Sequence, residues 1–294
     1  MILRVRPLRF EFRARDAISF APGQTANTFR GAFGEIFRRI ACSEDCPGAK
    51  TCRRASECAY ARMFEPRAPR DAAGPSGFRD LPRPFVLRAA SLDGRTFLAG
   101  EQFEIGINLF DPGVPALDYF SQAFSELCVR GLGPGRPRVE LLRATELPAA
   151  LLDFGMARPP TPRVRLTFLT PTELKSGGES LREPHFDAVI RRSRDRVTGL
   201  VGLYQGGFRA ESIDFRGLGD RASLVRMTSS RLDQCDYQRR SSRTGQSHSL
   251  GGFRGEAEYE GDIAEFLPWL EALWWTGVGR LTVWGNGWVQ TEVG

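Results

Sequence analysis

The densest group of side chains that could do chemistry lies at residues 236–248, which read Asp-Tyr-Gln-Arg-Arg-Ser-Ser-Arg-Thr-Gly-Gln-Ser-His. Cleavage of RNA by its own 2′-hydroxyl needs a base for that hydroxyl, an acid for the departing 5′-oxygen, and positive charge beside the pentavalent phosphorus. Such cleavage needs no metal ion, because the nucleophile belongs to the RNA. The stretch supplies a phenol, guanidinium groups, hydroxyls and an imidazole, from Tyr237, Arg239, Arg240, Arg243 and His248 among others.

His248 is one of only two histidines in the chain. An imidazole can serve as base or acid near neutral pH, so His248 is a candidate for either role. The alternative is an incidental histidine in a polar surface loop. The other histidine, His185, stands between Pro184 and Phe186 and has no such surroundings.

A second group consists of four cysteines within 17 residues, Cys42, Cys46, Cys52 and Cys58. Thiolates at this spacing could meet at a structural zinc ion or an iron–sulfur cluster, although the paired Cys-x2-Cys of a zinc ribbon is absent. A metal would stabilise a segment that has no core of its own. Free thiols and disulfides are the alternatives. Cys128 and Cys235 stand apart and are expected to be buried singly.

The elements that must position these groups alternate between strands and helices. Leu8, Phe10 and Phe12 alternate with charged residues, which predicts a strand, and apolar residues at helical spacing predict a helix over 29–40. Strands over 84–89 and 102–109, a helix over 119–129 and a strand over 139–145 complete the order of a ferredoxin-like fold. Residues 41–85 are rich in Cys, Pro, Arg and Gly and are predicted to be an insertion. Gly31 and Gly34 are unfavourable in a helix, which predicts the close approach of another backbone there.

A second unit of the same kind is predicted after a proline-containing linker at 146–162. It has a strand from Val164, a helix over 184–196, a strand from Gly252 to Gly261, an apolar helix over 263–273 and a closing strand over 281–289. Glycines at 277, 279, 285 and 287 surround Arg280, and exposed amides beside an arginine would suit a phosphate chain. We therefore predict an α+β protein of two tandem ferredoxin-like (RRM-like) domains, at 1–155 and 156–294.

Composition favours a polyanionic partner and a folded core. The net charge is +6, the pI is near 9.3 and 41% of residues are hydrophobic. The charged N-terminal sequence has no features of a signal peptide, and no apolar run is long enough to cross a membrane. We therefore expect a cytoplasmic protein with no membrane partner.

The order of residues after Leu250 resembles the C-terminal glycine-rich region of the CRISPR-associated RAMP endoribonucleases, which process precursor CRISPR RNA. The likeness is carried by the Gly252–Gly261 strand, the apolar helix, Gly277-x-Gly279-Arg280 and Gly285-Asn286-Gly287. The phrase Leu-Thr-Pro-Thr-Glu-Leu-Lys at 169–175 is also similar to that family. The 236–248 stretch resembles the sequence of one branch, which also carries a cysteine-rich insertion. The resemblance implies two ferredoxin-like halves.

The resemblance also implies roles for particular residues. Basic residues of the first helix would lie beside the scissile site, which makes Arg30 a catalytic candidate with His248, Tyr237 and Arg243. The implied RNA-binding residues are Arg38, Arg39, Arg191, Arg192, Arg194, Arg239, Arg240, Gly277, Gly279, Arg280, Gly285 and Gly287. The family often has a histidine base near the first helix, and this chain has none there. Either His248 takes that role, or Tyr237 acts with arginines, or binding dominates over cleavage.

The function implied is a metal-independent endoribonuclease that cuts CRISPR repeat RNA by 2′-hydroxyl attack. It would leave a 2′,3′-cyclic phosphate and a 5′-hydroxyl, need no cofactor for catalysis, and remain on the crRNA hairpin. Its partners would be that RNA and other subunits of a class 1 CRISPR effector complex. The first alternative is a non-catalytic RNA-binding RAMP subunit of such a complex. A second is a ferredoxin-like metabolite-binding protein whose cysteines hold an iron–sulfur cluster for electron transfer.

Overall fold

A computed structural model of the chain describes residues 1–42, 51–66, 81–133, 135–206, 213–240, 247–249 and 251–294. The chain divides into two compact units. The first unit comprises Arg4–Ala150 and Leu203–Gly206, and the second comprises Met1–Leu3, Leu151–Gly202 and Gly207–Gly294. The division therefore falls at Ala150 and Leu151, whereas the sequence predicts it at residues 155 and 156.

The first half of the chain follows the predicted order of strands and helices. Its elements are β1 (Ile2–Ala14), β2 (Ile18–Ser19), α1 (Thr25–Ala41), α2 (Ala59–Phe64), β3 (Phe85–Arg88), β4 (Thr96–Phe97), β5 (Gln102–Leu109), α3 (Ala116–Arg130), β6 (Val139–Glu146) and β7 (Ala150–Asp153). The main sheet has the order β3-β5-β1-β6, and β7 also pairs with β1. Phe10 of β1 stands opposite Ile105 of β5 and Ala144 of β6 in antiparallel register.

The core of the first unit is built from phenylalanines. Phe10 and Phe12 point from β1 toward the two long helices, where Phe10 meets Phe124 with ring centroids 4.8 Å apart. Phe33 of α1 stacks on Phe124 of α3 at 4.9 Å. The predicted insertion contributes as well, because Phe64 of α2 is 4% exposed and its ring lies 5.2 Å from that of Phe37. Helix α2 thus belongs to the core of the first unit.

The second half repeats the same topology. Its elements are β8 (Arg163–Thr172), β9 (Lys175–Ser176), β10 (Glu179–Ser180), α4 (Phe186–Leu200), α5 (Phe215–Ala222), β11 (Arg226–Cys235), β12 (Gln238–Arg240), β13 (Ser247–Ser249), β14 (Gly252–Glu260), α6 (Leu267–Thr276) and β15 (Val289–Val293). A π-helical segment, Val201–Gln205, continues α4. The main sheet has the order β11-β14-β8-β15, which matches the first sheet strand for strand. The prediction of two ferredoxin-like halves is confirmed.

Several local predictions differ from the structure. The predicted closing strand over 281–289 is wrong, because Thr282–Trp284 form a 3₁₀ turn and β15 begins only at Val289. The predicted linker contains β7. Gly31 does not mediate a close backbone approach, since a Cβ there would have no neighbour within 4 Å. Gly34 faces only the Phe64 ring, 3.4 Å from the site of a Cβ. Among the residues that the structure describes, no helix is both long and apolar enough to cross a membrane.

Candidate functional site

The glycine-rich loop after α6 is fastened to the end of β8 by close backbone contacts. Gly279 has φ +79°, and a Cβ there would lie 2.3 Å from the carbonyl oxygen of Glu173. Gly287 has φ +70°, and its Cβ would lie 1.9 Å from the carbonyl oxygen of Val278. Only glycine combines this backbone conformation with this approach. These two glycines are therefore needed to close the loop, whatever else the loop binds.

Several amides of this loop already have protein partners. The Val278 amide donates to Gly287 O (2.9 Å), the Arg280 amide to Glu173 O (3.1 Å) and the Gly287 amide to Pro171 O (3.0 Å). The sequence-based expectation of exposed amides is therefore wrong for these three residues. The candidate phosphate-binding group of the loop is instead the Arg280 side chain, which is 57% exposed.

The Glu173 carboxylate contacts three polar or charged side chains near the glycine-rich loop, Arg280, Lys175 and Ser180. This carboxylate is 16% exposed, accepts from Arg280 Nη1 at 3.0 and 3.1 Å, and accepts from Ser180 Oγ at 3.0 Å. Lys175 Nζ lies 3.9 Å from the same carboxylate. Arg192 of α4 donates to the carbonyl oxygen of Lys175 through Nη2 at 2.6 Å. Arg280 and Lys175 thus lie beside one carboxylate, and Arg192 bonds the backbone of Lys175; we call these four residues the Glu173 cluster.

The predicted RNA-binding arginines of α4 differ in how available they are. Arg194 is buried, and its guanidinium donates to Phe215 O (2.5 Å) and Asp195 Oδ1 (2.6 Å). Arg191 is 43% exposed but lies against α5, where a Cβ on Gly219 would be 2.8 Å from its Cζ. Arg192 is 44% exposed. Arg192 is therefore the most available of the three, while Arg194 holds α5 in place.

Residues 238–240 and 247–249, the described ends of the predicted catalytic stretch, pair as two short strands that we call the ribbon. Strands β12 and β13 are antiparallel, and their register pairs Arg239 with His248 and Arg240 with Ser247. The structure therefore brings Arg239 and His248 to opposed positions, although nine residues separate them in the sequence. Arg243 lies outside the described residues.

Tyr237 stands where β11 leads into this ribbon, and its hydroxyl contacts the thiol of Cys235. Burial raises the pKa of Cys235, and the charge of Arg254 and the Tyr237 hydrogen bond partly offset that effect. A raised pKa keeps this thiol protonated at neutral pH and so makes it a poor nucleophile. Tyr237 therefore remains the catalytic candidate of this junction, as the sequence predicts.

The candidate arginines of the first unit lie on α1. The Arg30 guanidinium sits 5.7 Å from the centroid of the Phe64 ring, and that of Arg38 sits 6.0 Å from the Tyr60 ring. Arg39 pairs with Glu126 of α3. Thr25 anchors the start of α1, because its hydroxyl donates to Asp93 Oδ1 at 2.5 Å. Helix α2 thus supports Arg30 and Arg38 through its aromatic rings.

The described cysteines do not form a metal site. Cys52 and Cys58 pack against Ala55 and Ala61, and Cys58 Sγ lies 3.8 Å from Ala41 O as a weak donor. In the described ranges, Cys42 included, no group of three or more Cys, His, Asp or Glu could hold a metal ion. Cys46 lies outside the described residues, so the zinc or iron–sulfur site stays a prediction. Cys128 is buried as expected, and its burial raises its pKa to about 12.

On the outer face of the second sheet, arginines are paired with glutamates on neighbouring strands. Arg163 pairs with Glu260 at 2.8 Å, and Arg165 pairs with Glu258 and lies 4.0 Å from Glu292. Hydrogen bonds from Arg165 and Ser229 lower the pKa of Glu258, so this carboxylate stays charged at neutral pH. This face therefore offers no net positive charge to a phosphate chain, unlike the Glu173 cluster.

Two features of the second unit escaped the sequence analysis. Glu173 lies in the 169–175 phrase, but no sequence pattern connects it with Arg280, 107 residues away. The other is tryptophan, because all five tryptophans of the chain lie between residues 269 and 288. This clustering is visible in the sequence and could have marked the segment as a candidate binding surface.

Comparisons with known proteins place both halves of the chain. Residues 3–151 match the AF_1859 N-terminal domain family, and residues 166–289 match the family of the CRISPR-associated endoribonuclease Cas6. No curated protein gives a significant sequence match.

Solved Cas6 structures share the fold over the full length. The product complex of Cas6 (TTHB231), a Thermus thermophilus protein, matches with a TM-score of 0.61 at 18% identity over 98% of this chain and 99% of that chain. The Cas6 (TTHA0078) product complex matches with a TM-score of 0.55 at 16% identity, covering 99% of this chain and 100% of that chain. A Cas6-RT-Cas1–Cas2 complex matches with a TM-score of 0.56 at 8% identity, covering 99% of this chain and 29% of that chain. The chain therefore belongs to the family with the AF_1859 N-terminal domain, its residues 166–289 match the Cas6 endoribonuclease family, and its fold is that of the solved Cas6 structures.

Proposed function

We propose that this protein is a CRISPR-associated endoribonuclease that cleaves the repeats of precursor CRISPR RNA. The observation that carries the proposal is the Cas6 domain over residues 166–289, set in a double ferredoxin-like chain that aligns end to end with Cas6. The substrate is an RNA hairpin held mainly by its phosphates, because an A-form stem presents shape and backbone rather than readable base edges. Arg280, Lys175 and Arg192 of the Glu173 cluster supply positive charge for such contacts in the second unit.

The reaction is metal-independent attack by an RNA 2′-hydroxyl on the adjoining phosphorus. The 2′-oxygen forms a bond to phosphorus, the bond to the 5′-oxygen breaks, and the products carry a 2′,3′-cyclic phosphate and a 5′-hydroxyl. His248 is the candidate to remove the 2′ proton or to protonate the leaving oxygen. Arg239, whose backbone pairs with that of His248 in the ribbon, is the candidate to stabilise charge on the phosphorane. Tyr237, Arg243 and Arg30 are further candidates for these roles.

The product hairpin stays bound, and the protein acts in the cytoplasm with other subunits of a class 1 CRISPR effector complex. The Cas6-RT-Cas1–Cas2 structure is a complex of a Cas6-containing protein with another CRISPR protein, which supports association with CRISPR proteins in general. The contacts that α4 makes through Arg191 and Arg192 would retain the hairpin by its phosphates.

A non-catalytic RNA-binding subunit is the second candidate function. The observation that favours it is the absence of any histidine before His185 in the sequence. Such a protein would bind the repeat hairpin through the same basic cluster without cutting it.

The two histidines provide a matched test. We expect His248→Ala to slow single-turnover cleavage of repeat RNA by about 10²–10⁴-fold, the usual contribution of a general acid or base. We expect His185→Ala to cleave at the wild-type rate, since its exposed side chain has no role in the proposed reaction. Wild-type cleavage by His248→Ala would remove His248 from the mechanism. Tight hairpin binding by the wild type without any cleavage would establish the non-catalytic subunit instead.

A further inference from the structure

The tryptophans of the second unit fall into two classes. Trp269 is 6% exposed and packs on Phe154 with ring centroids 4.5 Å apart, so it belongs to the core. Trp274, Trp275, Trp284 and Trp288 all keep part of their surface open, and Trp274 is 39% exposed. These four residues lie at the end of α6 and on the glycine-rich loop.

The core of the second unit does not require an aromatic ring at position 274. The buried face of α6 is already complete, and its members are Leu267, Pro268, Trp269, Leu270, Ala272, Leu273 and Thr276. A large apolar ring in water is unfavourable relative to a polar side chain. The exposed part of the Trp274 ring is therefore better explained by contact with a ligand than by a need of the hydrophobic core.

Trp274 pairs with Trp288 across the base of the loop. Their ring centroids are 4.8 Å apart at an angle of 48°. Trp288 is fixed at both of its backbone groups, because its amide donates to Thr170 Oγ1 (2.9 Å) and its carbonyl accepts from the Leu169 amide (2.8 Å). The close contacts of Gly279 and Gly287 also fasten the rest of the loop to the end of β8. The backbone that carries Trp288 is thus held in place before any ligand arrives, which lowers the entropic cost of binding.

The backbones of Arg280 and Trp288 are both anchored near the C-terminal end of β8. The Arg280 amide bonds Glu173, and Trp288 bonds Thr170, three residues earlier in the chain. Three residues of extended strand span roughly 10 Å. An exposed guanidinium on the same loop as partly exposed aromatic rings matches the way proteins hold unpaired nucleotides, with bases on the rings and phosphates on the arginine. A paired stem cannot use the rings, because its bases are already stacked on one another.

We propose that Trp274 and Trp288 form a stacking surface for unpaired bases that flank the RNA hairpin, with Arg280 binding the adjoining phosphate. The inference rests on the proposed RNA substrate and assigns a distinct subsite to its single-stranded flank. Recognition there is tolerant of sequence, since every base has a face that can stack.

Tryptophan fluorescence is a suitable readout of this surface, because Trp274 and Trp288 are two of the chain's five tryptophans and all five lie between residues 269 and 288. The ligand is hairpin RNA that carries a 2′-deoxy residue at the cleavage position, made with a 5′ flank, a 3′ flank or none. We expect one flank to quench the emission beyond the effect of the bare hairpin. The control is the same flank built from abasic nucleotides, which keeps the phosphates and removes the bases. Quenching that persists with the abasic flank would overturn the inference.

The second measurement is the ratio of affinities for flanked and bare hairpin. In the wild type we expect the flank to strengthen binding by about tenfold, in line with stacking of one or two bases. Trp274→Leu should reduce this ratio to near one, whereas Trp274→Phe keeps an aromatic face and should retain most of it. Because each variant is compared with itself on two RNAs, a general loss of folding would lower both affinities and leave the ratio unchanged. An unchanged ratio in Trp274→Leu would overturn the inference.

These outcomes separate the inference from the proposed function. Cleavage of the bare hairpin with no effect of either flank would refute the stacking surface and leave the endoribonuclease intact. Absence of binding to any of these RNAs would overturn both.

Discussion

The closure of the glycine-rich loop leads to a prediction for Gly287→Ala. A Cβ at this position would lie 1.9 Å from Val278 O, and an unstrained contact needs about 3.5 Å, so the backbone must separate by roughly 1.5 Å. That movement breaks the hydrogen bonds from Val278 N to Gly287 O and from Gly287 N to Pro171 O. At about 1 kcal/mol for each bond and about 1 kcal/mol for alanine at positive φ, we expect a loss of about 3 kcal/mol.

Gly178→Ala is the matched control for this substitution. Gly178 also has a positive φ, of +94°, but a Cβ there would have no neighbour within 4 Å. It lies in the same unit, between β9 and β10, and tests the backbone conformation without the collision. We expect a loss of only about 1 kcal/mol from Gly178→Ala.

Urea unfolding followed by tryptophan emission is the suitable assay. Every tryptophan lies between residues 269 and 288, so the emission reports the second unit alone. The reasoning predicts that Gly287→Ala is about 2 kcal/mol less stable than Gly178→Ala. If the two variants agree within about 0.5 kcal/mol, the close backbone contact does not limit the loop, and the account of its glycines fails.

Two further predictions concern the first unit. Asp111 is fully buried and accepts two hydrogen bonds from Arg62 (2.7 and 2.9 Å) and one from the Gly113 amide, so Asp111→Ala should cost about 3 kcal/mol in urea unfolding followed by far-UV circular dichroism. Asp153→Ala is the control, because the Asp153 carboxylate accepts a similar bond from the Gly155 amide but has no buried ion pair. Equal losses of unfolding free energy in the two variants would contradict the stabilising role of the Arg62–Asp111 ion pair. The hydrogen bond from Arg6 lowers the pKa of Glu146, so its stabilisation is present above the unfolded value of about 4.3 and is lost as pH falls through the folded value. Glu146→Gln should therefore be less stable than wild type at neutral pH and equal to it once the pH lies below the folded value in pH-dependent unfolding, and a constant difference down to that pH would refute this assignment.

Much of the fold can be predicted from the sequence because the elements that form it bury one face and expose the other. Leu8, Phe10 and Phe12 alternate with exposed or half-exposed residues in β1, and the apolar spacing of α1 follows its contact with the sheet. Strand β11 could not be found in this way, because its residues are exposed or half-exposed on both faces and it lies at the sheet edge. The closing strand was misplaced because Leu281, at φ +61°, and the 3₁₀ turn after it depend on contacts with the distant end of β8.

The candidate site was less predictable because its geometry is set by partners far apart in the chain. Arg280 could be predicted as a phosphate ligand from its glycine neighbours, but Glu173, which orients it, could not. Arg194 could not be distinguished from Arg192 by sequence, since its burial follows from the packing of Phe215 and α5 against α4. The pairing of Arg239 with His248 could not be predicted without knowing the register of the β12–β13 ribbon.

The central claim is that the RNA supplies its own nucleophile, and cleavage of repeat RNA in excess EDTA tests it most directly. Labelled repeat RNA is compared with copies that carry a single 2′-deoxy residue at each candidate position in turn. The account predicts full cleavage of the unmodified RNA without metal ions, and complete loss of cleavage when one particular 2′-hydroxyl is removed. Cleavage that stops in EDTA, or that survives every single deoxy substitution, would contradict it.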